Sequence, residues 1–274
     1  MKVAKDTFLI HVKSANKSTG VVGISGSNLV VDTDYNKFKH STMVGKIYAQ
    51  SIQVTSQYLY DTPLNVGDDV VFHHFVCQPD HKIQAFENVY RAEYFHIYAK
   101  IVNEMLEPLE DAIFVEPIKE KEEDLFCGLI KKKTQAGLVQ QKGIVFAASK
   151  KARAWGILPG DKVHFTRNAE YEIKFLEKDL YRMRIRNILC VERNGELICL
   201  QNKILVKAMD YVPEPGQFKD SPLQLQGEVV CVGKEVACVD VGDTINYFTS
   251  IAGGVDINGS KYYFLEPRHI NYIV

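Results

Sequence analysis

Short runs of alternating apolar residues, separated by Gly, Asp and Asn, cover most of the chain, and this pattern predicts β-strands. The runs are rich in β-branched and aromatic residues, as in Phe8-Leu9-Ile10, Val70-Val71-Phe72, Ile113-Phe114-Val115 and Ile204-Leu205-Val206. No long window sustains an apolar period of 3.6 residues. Residues 98–107 are the one stretch read as a helical turn or two. The expected fold class is all-β.

One string recurs three times: Val66-Gly67-Asp68-Asp69-Val70-Val71-Phe72, Pro159-Gly160-Asp161-Lys162-Val163-His164-Phe165 and Val241-Gly242-Asp243-Thr244-Ile245-Asn246-Tyr247. Each is a Gly-Asp turn that feeds an apolar strand. Its flanks recur in the same order. A glycine opens a strand upstream, at Gly45, Gly143 and Gly227. Further upstream an Asp or Asn precedes an apolar strand, at Asp6, Asp111 and Asn202. Aromatic and closing strands follow over 94–102, 181–191 and 263–274. A repeated order of landmarks is the signature of repeated architecture. It divides the chain into units at 1–103, 104–193 and 194–274, each expected to be a small β-barrel. Pro108 marks the first boundary and Asn194-Gly195 the second.

Composition narrows the function classes. The 274 residues carry 33 Lys+Arg against 34 Asp+Glu, a net charge of -1, so the excess of cations that nucleic-acid binding uses is missing. Fourteen Tyr and fourteen Phe in a near-neutral chain exclude wholesale disorder. No apolar stretch reaches the roughly 20 residues of a membrane span, and Phe8–Ile10 is too short for the apolar core of a secretory signal. A cytoplasmic location, with neither membrane nor nucleic-acid partner, is the expectation. Cys77, Cys127, Cys190, Cys199, Cys231 and Cys238 show no C-x-x-C spacing and read as free, mostly buried thiols.

The landmarks together resemble the GroES family, the small co-chaperonins that cap chaperonin rings. The resemblance is densest over Val241-Gly242-Asp243, Ala252-Gly253-Gly254-Val255-Asp256-Ile257-Asn258-Gly259, Tyr262-Tyr263-Phe264-Leu265 and Ile270. Met105 to Val115 is similar to the family's opening strand. It implies three tandem GroES-like barrels, a chaperonin ring (GroEL-like) as partner, self-association into a ring, and no cofactor. The family docks through a mobile loop after its first strand, and that loop carries an apolar tripeptide. The matching stretch here is Lys17 to Ser27, with Val21, Val22, Gly23 and Ile24 at the docking position. In the second unit it is Gly128, Leu129 and Ile130, and in the third a short run through Pro213 and Pro215 with no apolar tripeptide. The resemblance therefore assigns docking to units one and two. Val22 and Ile24, if left in water, forgo about 1.5–3 kcal/mol of burial each, which a partner groove would supply.

Other residues point elsewhere less strongly. His73, His74 and His81 are the usual metal-ligand type, but neighbours on a strand face opposite ways, so no metal is expected. The aromatics Tyr90, Tyr94, Phe95 and Tyr98 read as sheet core, and Trp155 as a local packing residue. Medium-chain dehydrogenases also contain a GroES-like domain, but the G-x-G-x-x-G turn of their dinucleotide domain is missing, as is any catalytic constellation, so no enzyme is expected. The alternative function is a structural ring or virion scaffold that keeps the barrel without a chaperonin. Family caps are rings of seven barrels, which three barrels per chain do not divide, whereas two chains give a six-barrel ring suited to such a scaffold.

Overall fold

A computed structural model describes residues 6–12, 43–51, 63–119, 139–166, 169, 171–209, 225–247, 253–257 and 260–274. Its strands fall into three sheets. The first comprises β1 (Thr7–His11), β2 (Val44–Gln50), β3 (Asp69–Phe72), β4 (Val89–Glu93), β5 (Ile97–Val102) and β6 (Met105–Pro108), in the order β4-β1-β2-β3-β5-β6. The second comprises β7 (Ala112–Lys119), β8 (Val139–Ala148), β9 (Lys162–Phe165), β10 (Tyr171–Phe175), β11 (Lys178–Arg184), β12 (Ile188–Arg193) and β13 (Glu196–Cys199). Their order is β10-β11-β7-β8-β9-β12-β13. The third comprises β14 (Ile204–Ala208), β15 (Leu225–Val232), β16 (Thr244–Tyr247), β17 (Gly253–Ile257), β18 (Ser260–Leu265) and β19 (Ile270–Ile273), ordered β17-β18-β14-β15-β16-β19. The fold is all-β, with one short α-helix, α1 (Lys150–Ala154), among the described residues.

Five strands pair in one order in every sheet: β4-β1-β2-β3-β5, β11-β7-β8-β9-β12 and β18-β14-β15-β16-β19. Finer details recur as well. The first strand slips register against the second between Leu9 and Ile10, and again between Leu205 and Val206. The third strand ends on a buried aromatic paired with isoleucine: Phe72 with Ile97, Phe165 with Ile188 and Tyr247 with Ile270. A single 3-10 turn precedes the closing strand each time, at Tyr94–His96, Ile185–Asn187 and Pro267–His269. In each turn the side chain of the last residue accepts the N–H of the residue before the turn, as His96 Nδ1 does from Glu93.

Tight turns explain the extra edge strands. Asn103 and Glu104 both take positive φ, and so do Asn194 and Gly195, the backbone of a two-residue hairpin loop. Val102 thus pairs with Met105, and Arg193 with Glu196. Residues 98–107, read from sequence as a helical turn, are instead the β5–β6 hairpin. Helix α1 was not foreseen, because five residues are too few for a period to register. Ser149 starts it, with its Oγ accepting the Ala152 N–H at 3.1 Å.

Two compact units can be distinguished. One holds Met1–Phe114, Ala147–Arg153 and Tyr171–Arg182, and the other Val115–Phe146, Ala154–Glu170 and Met183–Val274. The core of the first includes Phe8, Ile10, Ile47, Val70, Phe72, Tyr94 and Leu109. The second has one cluster around Ile204, Val206, Val229, Ile245 and Tyr247, and another around Leu189, Cys190, Cys199, Leu205 and Phe264.

Candidate functional site

The expected docking residues Val21, Val22, Gly23, Ile24, Gly128, Leu129 and Ile130 lie outside the described residues, as does the Pro213–Pro215 run. The strands that carry these segments are described. In each sheet the segment leaves the first strand and returns on the second: after His11 to Val44, after Lys119 to Val139, and after Ala208 to Leu225. The base of the first is firmly held. Val12 and Met43 are buried, the Val12 N–H donates to the Asn88 carbonyl at 2.9 Å, and the Phe72 N–H donates to the Met43 carbonyl at 2.9 Å. At the third, the Met209 N–H donates to the Gln226 carbonyl at 3.1 Å.

The strand-opening glycines sit at these bases because the first strand crosses too close for a side chain. A Cβ on Gly143 would stand 2.2 Å from Val115 Cγ1 and 2.7 Å from the Glu116 carbonyl oxygen. The corresponding approaches are 2.6 Å to Ile10 Cγ2 and 2.8 Å to the His11 oxygen for Gly45, and 2.4 Å to Val206 Cγ1 and 2.6 Å to the Lys207 oxygen for Gly227.

The Gly-Asp turns close the other side of the second strand with one repeated set of hydrogen bonds. Gly67, Gly160 and Gly242 hold φ near +97°, +89° and +98°, the left-handed conformation that a type II turn demands at its third residue. Their N–H groups donate to the carbonyls of Ile47, Val145 and Val229, all at 2.8 Å. The following aspartate accepts the N–H three residues back: Asn65 to Asp68 Oδ2 at 2.8 Å, Leu158 to Asp161 Oδ2 at 2.7 Å, Asp240 to Asp243 Oδ2 at 2.8 Å. The turns differ in their cations. Asp161 is buried and clamped by Arg193, Nε to Oδ1 at 2.8 Å and Nη2 to Oδ2 at 2.7 Å, while Nη2 also reaches the Gly156 carbonyl at 2.8 Å. Asp68 Oδ2 meets Lys100 Nζ at 2.9 Å. Neither cation was singled out from sequence, since each lies on a distant strand.

A histidine cluster in the first unit replaces a strand. Where the other sheets have β10 and β17, the first has two 3-10 turns, His74–Cys77 and Pro79–His81. His73 and His74 do not face opposite ways. The chain turns at His73, and the two rings stack at 4.4 Å. His73 Nδ1 accepts the Phe75 N–H at 3.0 Å, and its ring stacks on Tyr171 at 4.8 Å. The Tyr171 hydroxyl accepts the His74 N–H at 3.0 Å and lies within hydrogen-bond reach of His74 Nδ1. Burial, with His74, His96 and Arg182 nearby, lowers the His73 pKa to about 4. Burial also lowers His74 and His96. Among the described residues no group of three or more His, Cys, Asp or Glu side chains is placed to hold a metal ion.

These shifts set an acid dependence. A histidine whose pKa falls on folding binds its proton more readily in the unfolded chain. The stability it contributes is present above its unfolded value, about 6.5, and is lost as pH falls through the folded value. Melting temperature is therefore expected to decline as pH drops from 6.5 towards 4, by a few degrees given how much of the cluster water can screen. His73→Asn, which keeps an acceptor for the Phe75 N–H, should flatten the slope. An unchanged slope would mean that other groups set it.

Residues 105–192 match the family model of the Chaperonin 10 Kd subunit. No curated protein matches the chain. The matched residues run from β6 into β12 and contain Gly143 and the Gly160-Asp161 turn; Arg193, which clamps Asp161, is the next residue beyond them.

Proposed function

We propose that the chain is a co-chaperonin-type lid built from three tandem copies of the GroES-like barrel, which binds a chaperonin ring through segments of its first two copies and assists ATP-dependent folding. The observation that carries this reading is the Chaperonin 10 Kd match over 105–192, combined with the strand order and Gly-Asp hydrogen bonds of that region recurring in the other two sheets. The segments with Val22 and Ile24, and with Leu129 and Ile130, are the docking elements. The role is non-enzymatic.

The sheet edges favour self-association. In the first two sheets the closing strand is covered, β5 by β6 and β12 by β13. In the third, β19 ends the sheet among the described residues, and Tyr272, Ile273 and Val274 are exposed. An edge that no described strand covers, with apolar side chains along it, is a template for a strand from a second copy.

The test is capture by a chaperonin ring with and without ATP. Wild type should be captured, and Val22→Asp/Ile24→Asp and Leu129→Asp/Ile130→Asp should each lose capture. A carboxylate driven into an apolar groove carries a desolvation cost of several kcal/mol, and several sites acting together magnify the loss. The fold should lose under about 0.5 kcal/mol. If both double variants are captured like wild type, these segments are not the docking element. If they unfold, the residues belong to a core and the scaffold reading gains.

A further inference from the structure

Three cysteines from three strands meet within the second of the two compact units, in its Met183–Val274 part. Cys190 on β12 lies directly opposite Cys199 on β13, and Cys199 abuts Cys231 on β15. The Cys199 N–H points at Cys231 Sγ at 3.0 Å, and Cys199 Sγ lies 3.5 Å from the Cys231 carbonyl oxygen. The Cys199 thiol thus has the Cys231 carbonyl as its acceptor, and the Cys231 sulfur takes the Cys199 N–H. Around them Leu189, Leu205, Ile257 and Phe264 form an apolar cluster.

We propose that Cys199 and Cys231 are a redox-active pair that closes to a disulfide when the protein meets a hydroperoxide, stapling β13 of the second sheet to β15 of the third. The inference is independent of chaperonin binding. Geometry assigns the roles. Cys231 is half-buried and its sulfur accepts the Cys199 N–H, so it is the sulfur best held as a thiolate; hydrogen bonding from Cys199 lowers its pKa. Cys190 and Cys199 are buried, and burial together with neighbouring sulfur pushes both thiols up. Cys231 is thus the attacking group and Cys199 the resolving one.

The chemistry balances with hydrogen peroxide as oxidant. The Cys231 thiolate attacks one peroxide oxygen, the S–O bond forms and the O–O bond breaks. The hydroxide that leaves takes a proton to become water. Cys199 then attacks the Cys231 sulfenic sulfur, its own proton going to the departing hydroxide, so that the S–S bond forms and a second water leaves. Two electrons pass from the two sulfurs to the peroxide.

The experiment treats the reduced full-length protein with hydrogen peroxide, blocks remaining thiols, and maps the digest by mass spectrometry without reduction. The expected product is a peptide pair joined through Cys199 and Cys231, lighter by two hydrogen atoms, about 2 Da, than the reduced pair. Its formation should raise the melting temperature by about 5 °C or more, reversibly with dithiothreitol. Cys199→Ser should leave Cys231 as a trapped sulfenic acid, detectable with dimedone. Cys231→Ser should leave Cys199 unreacted. A Cys190–Cys199 link, dimers joined through the exposed Cys238, or no link under conditions that oxidise Cys238 would each overturn the proposal. Should the serine variants fail to fold, the wild-type map alone decides between these outcomes.

Discussion

Asp161→Ala is expected to lower the stability of the fold by about 3 kcal/mol, far more than the same change at Asp68 or Asp243. The aspartate is buried, and its two oxygens are taken by Arg193 Nε and Nη2 and by the Leu158 N–H. Removing the carboxylate leaves the guanidinium with the Gly156 carbonyl as its remaining described acceptor, and the Leu158 N–H loses its acceptor. The upper end of the range for broken buried pairs, about 5 kcal/mol, does not apply, because Arg193 keeps a third of its side chain in water and recovers some solvation. At Asp68 the loss comprises the turn bond and a partly buried contact with Lys100, which unlike Asp161–Arg193 is a single contact, about 1–1.5 kcal/mol. At Asp243 it comprises the turn bond at an exposed site, about 0.5–1 kcal/mol. Chemical denaturation of the three variants gives the ranking directly. Equal midpoint shifts would show that the turn bond, and not the clamp, carries the stability.

Gly143→Ala should cost about 3 kcal/mol, while Gly160→Ala, in the same sheet, should cost about 1 kcal/mol. The reasons are different in kind. At Gly143 the new methyl meets Val115 and, less forgivingly, the Glu116 carbonyl, whose movement would disturb the strand that leads into the 120–138 segment. At Gly160 there is open space, and the penalty is the left-handed φ alone. The contrast separates crowding from backbone strain. It is read from urea midpoints of the two variants, or from amide exchange at Val145, whose N–H donates to the Asp161 carbonyl. A Gly143→Ala protein no less stable than Gly160→Ala would mean that β7 shifts away at little cost.

Several of these features were legible in the sequence because they are local. The Gly-Asp turn needs a left-handed residue followed by an acceptor three residues after its donor, and both fall within one short string. The strand-opening glycines were visible as punctuation, but their cause was not, since the atoms that exclude a Cβ belong to another strand. Pairing across distance was hidden for the same reason. Arg193 is 32 positions from Asp161, and Tyr171 is 97 from His74. Met105 to Pro108 read as a connection because Pro108 suggests a boundary, yet an outermost strand tolerates proline, whose missing N–H is no loss there. The cysteines carried no spacing signal, because Cys190, Cys199 and Cys231 approach one another only through the pairing of β12, β13 and β15. For the docking residues themselves, the sequence resemblance remains the basis of the assignment.

The covering of β5 by β6 bears on how the chain folds as it is made. All the described strands of the first sheet lie within residues 7–108, and the longest reach among them, from β1 to β4, stays inside that span. A ribosome that has released residue 108 has therefore delivered a complete sheet, before any of the second sheet's strands has emerged. Until then the nascent sheet presents the bare edge of β5, and Met105–Pro108 is the next strand to arrive. The two-residue turn at Asn103–Glu104 delivers it at the speed of a local hairpin, on the order of microseconds. The interval in which two nascent chains on one message could pair through that edge is then set by the synthesis of residues 103–108, about a second at ribosomal speed. The β12–β13 hairpin, turned at Asn194–Gly195, gives the second sheet the same protection.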